Sequence, residues 1–459
     1  MIQQIIFTIV TILTVVLSYK AYSNIVKNIK LGRSYELVNN KGARWRTMIL
    51  VALGQGKMFK YFLPALFHLF IYVAFLFTQI ELIEILIDGF FGKHRILSQP
   101  LGGFYTFIIS LIEILSVLAF IATVVFLSRR NIINVKRFHK PEMKGWPFTD
   151  ANLILLGEIL LITGIFLANS SDLVLQSRLS EHFHHTGQFA VSSLLAKYVF
   201  SGLDTQTLRI LERIGWWLHL TVVYGFILYL TISKHLHLIF AFPNTFFTPL
   251  VPRGKMENMP VIMNEVKSMM GLGGDGGQMD NMDAMSEEIP EFGAKEIMGL
   301  KWKNILDAYT CTECGRCTDK CPANVTGKVL SPRKIVMMVR DRAEEVGKKL
   351  RSKDSKYIRE DLKGENVVLS AENFDDGKSL FDYISDEEIF ACTTCNACVE
   401  ECPVLINPLD IILQMRRYRI LTDSAGPSDW MPMFTSLENS GSVWQMQEER
   451  DAWTKEVIV

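Results

Sequence analysis

The chain has 459 residues, 49% of them hydrophobic, and its 48 basic and 48 acidic side chains give a formal net charge of zero. A mean hydropathy of +0.20 excludes an ordinary soluble protein, and the balanced charge gives no reason to expect a nucleic-acid partner.

In chain order, the first 240 residues hold nearly all the long hydrophobic runs. Five segments, near 3–25, 61–87, 103–128, 151–169 and 214–240, are long enough to cross a hydrocarbon core of roughly 30 Å. The first has no positive n-region and no small-residue cleavage site, so it reads as a retained helix. Eight lysines and arginines lie between Lys27 and Lys60, and six more between Arg129 and Lys144. The positive-inside rule turns both loops to the cytoplasm, with the N-terminus outside and everything after about residue 240 inside. A bacterial cytoplasmic membrane is the expected location.

Three histidines stand out within these spans. His68 lies about seven residues into the second span and His237 near the inner end of the fifth, so the two imidazoles share a depth and can clamp a b-type haem. His219 and His237 are eighteen residues apart, five helical turns and about 27 Å on one face. His235 points away from that face and is a second-choice ligand. A second haem, near the outer side, needs a partner for His219 ten residues after His68, where Thr78 stands. His182, His184 and His185 in the outer loop supply one only if that loop folds back. Histidines near helix ends can also simply sit among headgroups, but ionisable side chains inside spans are costly and mark function.

Two carboxylates, Glu113 on the third span and Glu158 on the fourth, are either hydrogen-bonded packing groups or proton carriers for a quinone. The outer-loop pair Lys93/His94 is a further candidate to face a quinone.

Residues 241–300 read as a flexible or partner-bound linker: Pro243, Pro249 and Pro252 end the last span, and a Met/Gly/Asp-rich stretch follows that cannot build a core. Residues 301–425 form a helical domain carrying all eight cysteines. Cys311, Cys314, Cys317 and Cys321-Pro322, then Cys392, Cys395, Cys398 and Cys402-Pro403, both follow the run used for a pair of [4Fe–4S] clusters, in which the fourth cysteine ligates the other cluster. One cluster is thus assigned to Cys311, Cys314, Cys317 and Cys402, the other to Cys392, Cys395, Cys398 and Cys321. Zinc leaves cysteines unused, and disulfides within eleven residues are strained. A sensing rather than conducting cluster has the same spacing.

Each motif follows a short helix (302–309; 386–391, with Ser385 and Glu388 as a capping box). Each precedes a helix entered through Ser331-Pro332 or Asn407-Pro408. The joining insert, about 343–384, reads as a solvated surface segment. Residues 426–459, with aromatics from Trp444 to Trp453, read as a partner-docking tail.

The first 240 residues resemble the cytochrome b (gamma) subunit of respiratory nitrate reductase and its relatives in heterodisulfide reductase and sulfite-reduction complexes, through FHLF around His68 and WWLHL to SKHLHLIF. From about 290 the chain resembles heterodisulfide reductase-like iron–sulfur domains. The string CTECGRCTDKCPANVTGKVLSPRKIVMMVRD is similar to membrane-bound electron-transfer-flavoprotein:menaquinone oxidoreductases, which continue into CCG domains. The resemblance implies menaquinone, an electron-transfer flavoprotein as donor, and a separate CCG-domain iron–sulfur subunit. The expected fold is all-α, a five-helix transmembrane cytochrome b bundle followed by a cytoplasmic α-helical ferredoxin domain. The expected role is an electron-transfer subunit of a quinone oxidoreductase. The alternatives are a menaquinol dehydrogenase feeding a disulfide or sulfur reductase, and a non-enzymatic iron–sulfur anchor or sensor.

Overall fold

The computed structural model describes residues 2–35, 37–179, 183–252, 254–272, 292–364, 367–444 and 451–456. Among them are helices and two isolated bridges, with no strand. Five helices are long and apolar enough to cross a membrane: α1 (Ile2–Ile29), α2 (Phe62–Phe91), α3 (Gly103–Asn131), α4 (Trp146–Arg178) and α5 (Thr205–Tyr229), the last extended by one 3-10 turn to Ile232. Their outer faces carry exposed Ile5, Ile9, Leu63 and Phe107, as expected where lipid replaces water and only backbone groups need internal partners. Asp204 starts α5 by accepting from Gln206 N and Thr207 N at 2.9 and 3.0 Å, the usual satisfaction of orphan donors at a helix start. Two glycines bring α4 and α5 into backbone contact. A Cβ on Gly215 would lie 2.5 Å from Ala168 N, and one on Gly164 would lie 3.0 Å from His219 N. Small residues permit this close crossing in a bundle, and it fixes His219 against α4.

The fifth span differs from the sequence reading of 214–240. The chain leaves the helix at Ser233, whose backbone is extended (φ −113°, ψ 151°), and α6 (His237–Phe246) begins afresh. Asp150 of α4 stabilises the break by accepting from Lys234 N at 3.0 Å, while Ser233 Oγ caps His235 N at 3.1 Å. His219 and His237 therefore belong to two helices, and the five-turn argument for a common face does not apply. Pro243 lies inside α6 and does not end it.

The cysteine domain sits on one end of this bundle with a shared core. Ile25 and Ile29 of α1 and Leu236 and Phe240 belong to the same buried cluster as Ile297, Ile305, Val339 and Ile411. Its main helices are α7 (Trp302–Thr310), α8 (Pro332–Ser352) and α9 (Pro408–Arg417). Ser331 and Asn407 cap α8 and α9 through Lys334 N and Asp410 N, and the Ser385/Glu388 capping box is present on the helix Asp386–Phe390. At the seam, Asn28 donates to Tyr309 Oη at 2.8 Å and accepts from Arg351 at 2.6 Å.

Two segments are more structured than their composition suggests. Of the linker, 241–246 is helical, Pro260–Met269 is a helix, and Ala294, Ile297 and Leu300 enter the core; 273–291 lie outside the described residues. The insert is not a solvated strip either. Leu380 and Ile384 are fully buried, and fully buried Arg342 pairs with Asp376 at 2.8 Å.

Candidate functional site

The two cysteine motifs adopt one backbone shape twice. Glu313 (φ 52°) and Thr394 (φ 54°) are left-handed, as are Gly315 (φ 75°) and Asn396 (φ 60°) two residues on. This turn aims Glu313 N at Cys311 Sγ and Thr394 N at Cys392 Sγ, both at 3.4 Å, and such conformations cluster where a site dictates the backbone. Cys311, Cys314 and Cys317 line one cavity together with Cys402 from the second motif. Cys392, Cys395 and Cys398 lie in electrostatic reach of one another and of Cys321 from the first. Among the described residues no three His, Cys, Asp or Glu groups converge on one ion-sized point. Burial pushes the thiols of Cys311, Cys398 and Cys402 up to about 12. In that setting only a directly bound cation makes thiolate the stable form.

The quartets differ in exposure. Cys311 and Cys402 are buried in the first, whereas Cys395 of the second is exposed. The first loop is locked to the bundle. Glu313 Oε2 pairs with Lys234 Nζ at 2.5 Å and Oε1 with Arg340 at 2.8 Å, all with little exposure. Burial opposes the charge on Glu313, but Lys234 and Arg340 outweigh it and hold the carboxyl below its ordinary range. Fully buried Arg333 binds Glu142 at 2.7 Å and Arg137 O at 2.8 Å, both on the α3–α4 loop. The second motif touches the loop before α2, where Lys60 pairs with Glu401 at 2.5 Å and Tyr61 donates to the same carboxylate at 3.0 Å.

Beneath this seam lie two of the sequence candidates. The rings of His68 and His237 face each other with centroids 6.5 Å apart and planes inclined at 41°. Each Nδ1 is occupied, His68 with Gln55 Oε1 and His237 with the Lys234 carbonyl, both at 3.1 Å. The Nε2 atoms remain for a ligand, the arrangement that orients metal-binding imidazoles. An iron bound by two such nitrogens at about 2 Å each holds the ring centroids roughly 6 Å apart. An apolar cavity of about 290 Å³ lies in the bundle, lined by Ile71, Phe75, Leu238 and Ile239 and reaching Thr78, Glu158 and His219; neither His68 nor His237 lines it. The facing imidazoles fit a metal held between them, as the iron of a b-type haem would be. His235, with its ring 5.4 Å from that of His237, also lines the cavity.

The other candidates are less united. His219 directs Nδ1 to Leu161 O at 3.3 Å and shares its cavity with Thr78, which has no imidazole to offer. His184 and His185 are exposed, and His182 lies outside the described residues. Glu113 is saturated by Val191 N, Ser192 N and the Ser192 hydroxyl, so it is the hydrogen-bonded packing group of the two readings. His94 pairs with Asp172 at 2.8 Å, and Lys93 is exposed beside it. Sequence reasoning missed Gln55, Lys234 and Glu313, which carry no periodic signal. It also missed Glu81, Glu84 and Asp88, although carboxylates at i, i+3 and i+7 in an apolar run mark one helix face. In the tail, Trp430 meets Phe390 edge-on at 5.1 Å, and Trp444 and Trp453 are exposed; 445–450 lie outside the described residues.

Comparison with known proteins supports iron–sulfur clusters in this part of the chain. A family model described as a 4Fe-4S dicluster domain matches residues 310–406. The chain is an iron–sulfur protein with membrane helices. It is 28% identical over 464 residues to a probable iron-sulfur-binding oxidoreductase, FadF, of Bacillus subtilis, covering 98% of this chain and 60% of the relative. It is 25% identical to an EtfAB:quinone oxidoreductase of Syntrophomonas wolfei, over 86% of this chain and 51% of that one. The chain thus spans between half and two thirds of these relatives. One component of a CoB-CoM heterodisulfide reductase of Methanosarcina acetivorans is 29% identical over 28% of this chain and 55% of its own length. No solved structure matches.

Proposed function

We propose that the chain is a membrane electron-transfer subunit of a quinone oxidoreductase, linking a soluble redox partner on the cytoplasmic side with the menaquinone pool through two [4Fe–4S] clusters and one haem b. The clusters and haem would supply one-electron chemistry at potentials the protein tunes. Cys311, Cys314, Cys317 and Cys402 would hold the first cluster; Cys392, Cys395, Cys398 and Cys321 the second; His68 and His237 the haem.

The observation carrying this reading is the short path joining the two sites. The loop of the first quartet reaches Lys234 through Glu313, and the Lys234 carbonyl orients His237. The chain's own groups therefore hold a cluster loop and an imidazole pair in fixed relation, and the shared core excludes water between them. The exposed Cys395 side would meet the soluble partner: an electron-transfer flavoprotein, directly or through a CCG-domain subunit. The relative named for EtfAB and quinone favours this direction; the heterodisulfide reductase relative favours the reverse flow, from menaquinol to a disulfide reductase. The basic loops next to the cysteine domain support a cytoplasmic side for it. A second haem at His219 would need a partner where Thr78 stands.

A pyridine haemochrome assay with iron and sulfide analysis on the purified chain is expected to give one haem b and about eight non-haem irons. Absence of haem removes the cytochrome part of the reading. Redox titration of the centres against the menaquinone couple decides the direction of flow.

A further inference from the structure

At the bundle end away from the cysteines, six carboxylates lie in the spans: Glu81, Glu84 and Asp88 on α2, Glu113 on α3, Asp172 on α4 and Glu212 on α5. The positive charges facing them are Arg95 and, at the rim, Arg213, with His94 able to take a proton and Lys93 exposed at the mouth. Four carboxylates are fully engaged. Glu84 accepts from Tyr105 Oη (2.7 Å) and Leu97 N (3.0 Å). Asp88 accepts from Arg95 N (2.7 Å) and Ile96 N (3.1 Å). Asp172 holds Arg95 Nε (2.6 Å), His94 (2.8 Å) and Gln176 (2.9 Å). Glu113 is saturated as described above. Arg95 is in turn spent on Asp172, Tyr105 and Asn169.

Glu81 and Glu212 remain. Glu81 is only 6% exposed and its Oε2 has no hydrogen-bond partner. Glu212 Oε2 lies 3.0 Å from Arg213 Nε as an ion pair without hydrogen-bond alignment. Both line a polar cavity of about 150 Å³ together with Asp172, His94, Arg95 and His219. His219 also borders the apolar cavity that holds Glu158, so the two spaces meet at that ring. An unpaired charge at such depth is costly. Glu81, in the polar-lined end of the bundle, therefore has both a reason to hold a proton and room to exchange one.

We propose that Glu81 is the proton-carrying group between the interior of the bundle and the membrane face opposite the cysteine domain, with Glu212 and the His94–Asp172 pair completing the path to the mouth at Lys93. The identity of the reacting partner rests on the quinone reading above. Oxidation of one hydroquinone breaks two O–H bonds, forms two C=O bonds, and releases two protons to this path and two electrons to the iron centres; reduction runs the reverse. Redox chemistry at this site then exchanges protons with one side of the membrane only.

Two measurements on the full chain in vesicles test this. In redox-difference infrared spectra taken in H2O and D2O, an exchangeable carboxylic-acid C=O band is expected, lost in Glu81→Gln and shifted in Glu81→Asp. With menadiol as donor and a pH dye on each side in turn, Glu81→Gln is expected to slow cluster reduction roughly 100-fold. Glu81→Asp is expected to recover most of the rate, with protons appearing at the face away from the clusters. A band that survives Glu81→Gln, with an unchanged menadiol rate, overturns the proposal. If menadiol does not reduce the wild type, the quinone reading falls, and the infrared band alone decides whether Glu81 carries the proton. Should Glu81→Gln fail to fold, Glu81→Asp decides: an unshifted band overturns the assignment.

Discussion

The two cysteine motifs share a spacing, a pair of left-handed residues and a helix on either side, yet they differ in what touches their loops. In the first, Glu313 and Gly315 are pinned by Lys234, Arg340 and Arg333, and no cysteine is fully exposed. In the second, Thr394 and Asn396 stand at the corresponding places and Cys395 is exposed. One backbone solution, repeated, thus yields an inward-facing and an outward-facing site. The asymmetry comes from what touches the loop, and not from the ligand pattern.

The largest test of this contrast is ligand removal. Cys402→Ala is expected to abolish the inner cluster and Cys321→Ala the outer one, each lowering non-haem iron from about eight to about four per chain. In Cys321→Ala the surviving, buried cluster should bleach slowly with ferricyanide; in Cys402→Ala the survivor should bleach fast. If instead Cys402→Ala loses the outer cluster and Cys321→Ala the inner one, the ligands do not cross between motifs. Next, Lys234→Met leaves Glu313 and Asp150 with one fewer partner in a buried setting, and is expected to cost about 3 kcal/mol in thermal or denaturant unfolding. It should also perturb any His237-ligated haem spectrum, because the Lys234 backbone orients that ring.

Smaller effects separate the loops themselves. Gly315→Asn puts a Cβ 2.4 Å from the Arg333 guanidinium and is expected to cost about 2 kcal/mol or more. Asn396→Gly, at the matching place with no such neighbour, should stay within about 1 kcal/mol. Equal costs would mean that the lock on the first loop is energetically idle.

Acid should weaken the insert through its depressed carboxylates. Although partial burial opposes it, hydrogen bonds from Lys349 and Tyr383 hold the Glu345 carboxyl down at about 2, and Arg342 and Lys349 hold Asp376 lower still. Depressed folded values give stability that is complete above the ordinary carboxylate range and lost as pH falls through the folded ones. Asp376→Asn is therefore expected to flatten the loss of helical circular dichroism between about pH 4 and 2. The smallest effect is Lys60→Ala, a pair with one half-exposed member, at under about 1 kcal/mol.

The cluster ligands and spans were legible because their signals are local. A cysteine run or twenty apolar residues need no partner to be recognised. The His68/His237 pair was legible through depth, although the continuous helix used to argue it is broken at Ser233. Glu113 was flagged by its position in a span, yet its partners Val191 and Ser192 lie nearly eighty residues away, so its packing role could not be read. The insert looked solvated because its charges dominate its composition; burying Arg342 against Asp376 and Glu296 inverts that impression.

By itself the sequence determined an all-helical chain with five apolar spans and two interlocking cysteine quartets, since hydrophobic length and ligand spacing are properties of neighbouring residues. Only the tertiary structure decided that the first quartet faces the bundle through Glu313 and Lys234, and that Cys395 faces out. It also decided that Glu81 Oε2 is buried without a hydrogen-bond partner. These are questions of pairing between distant groups in a low-dielectric interior, and pairing is set by packing.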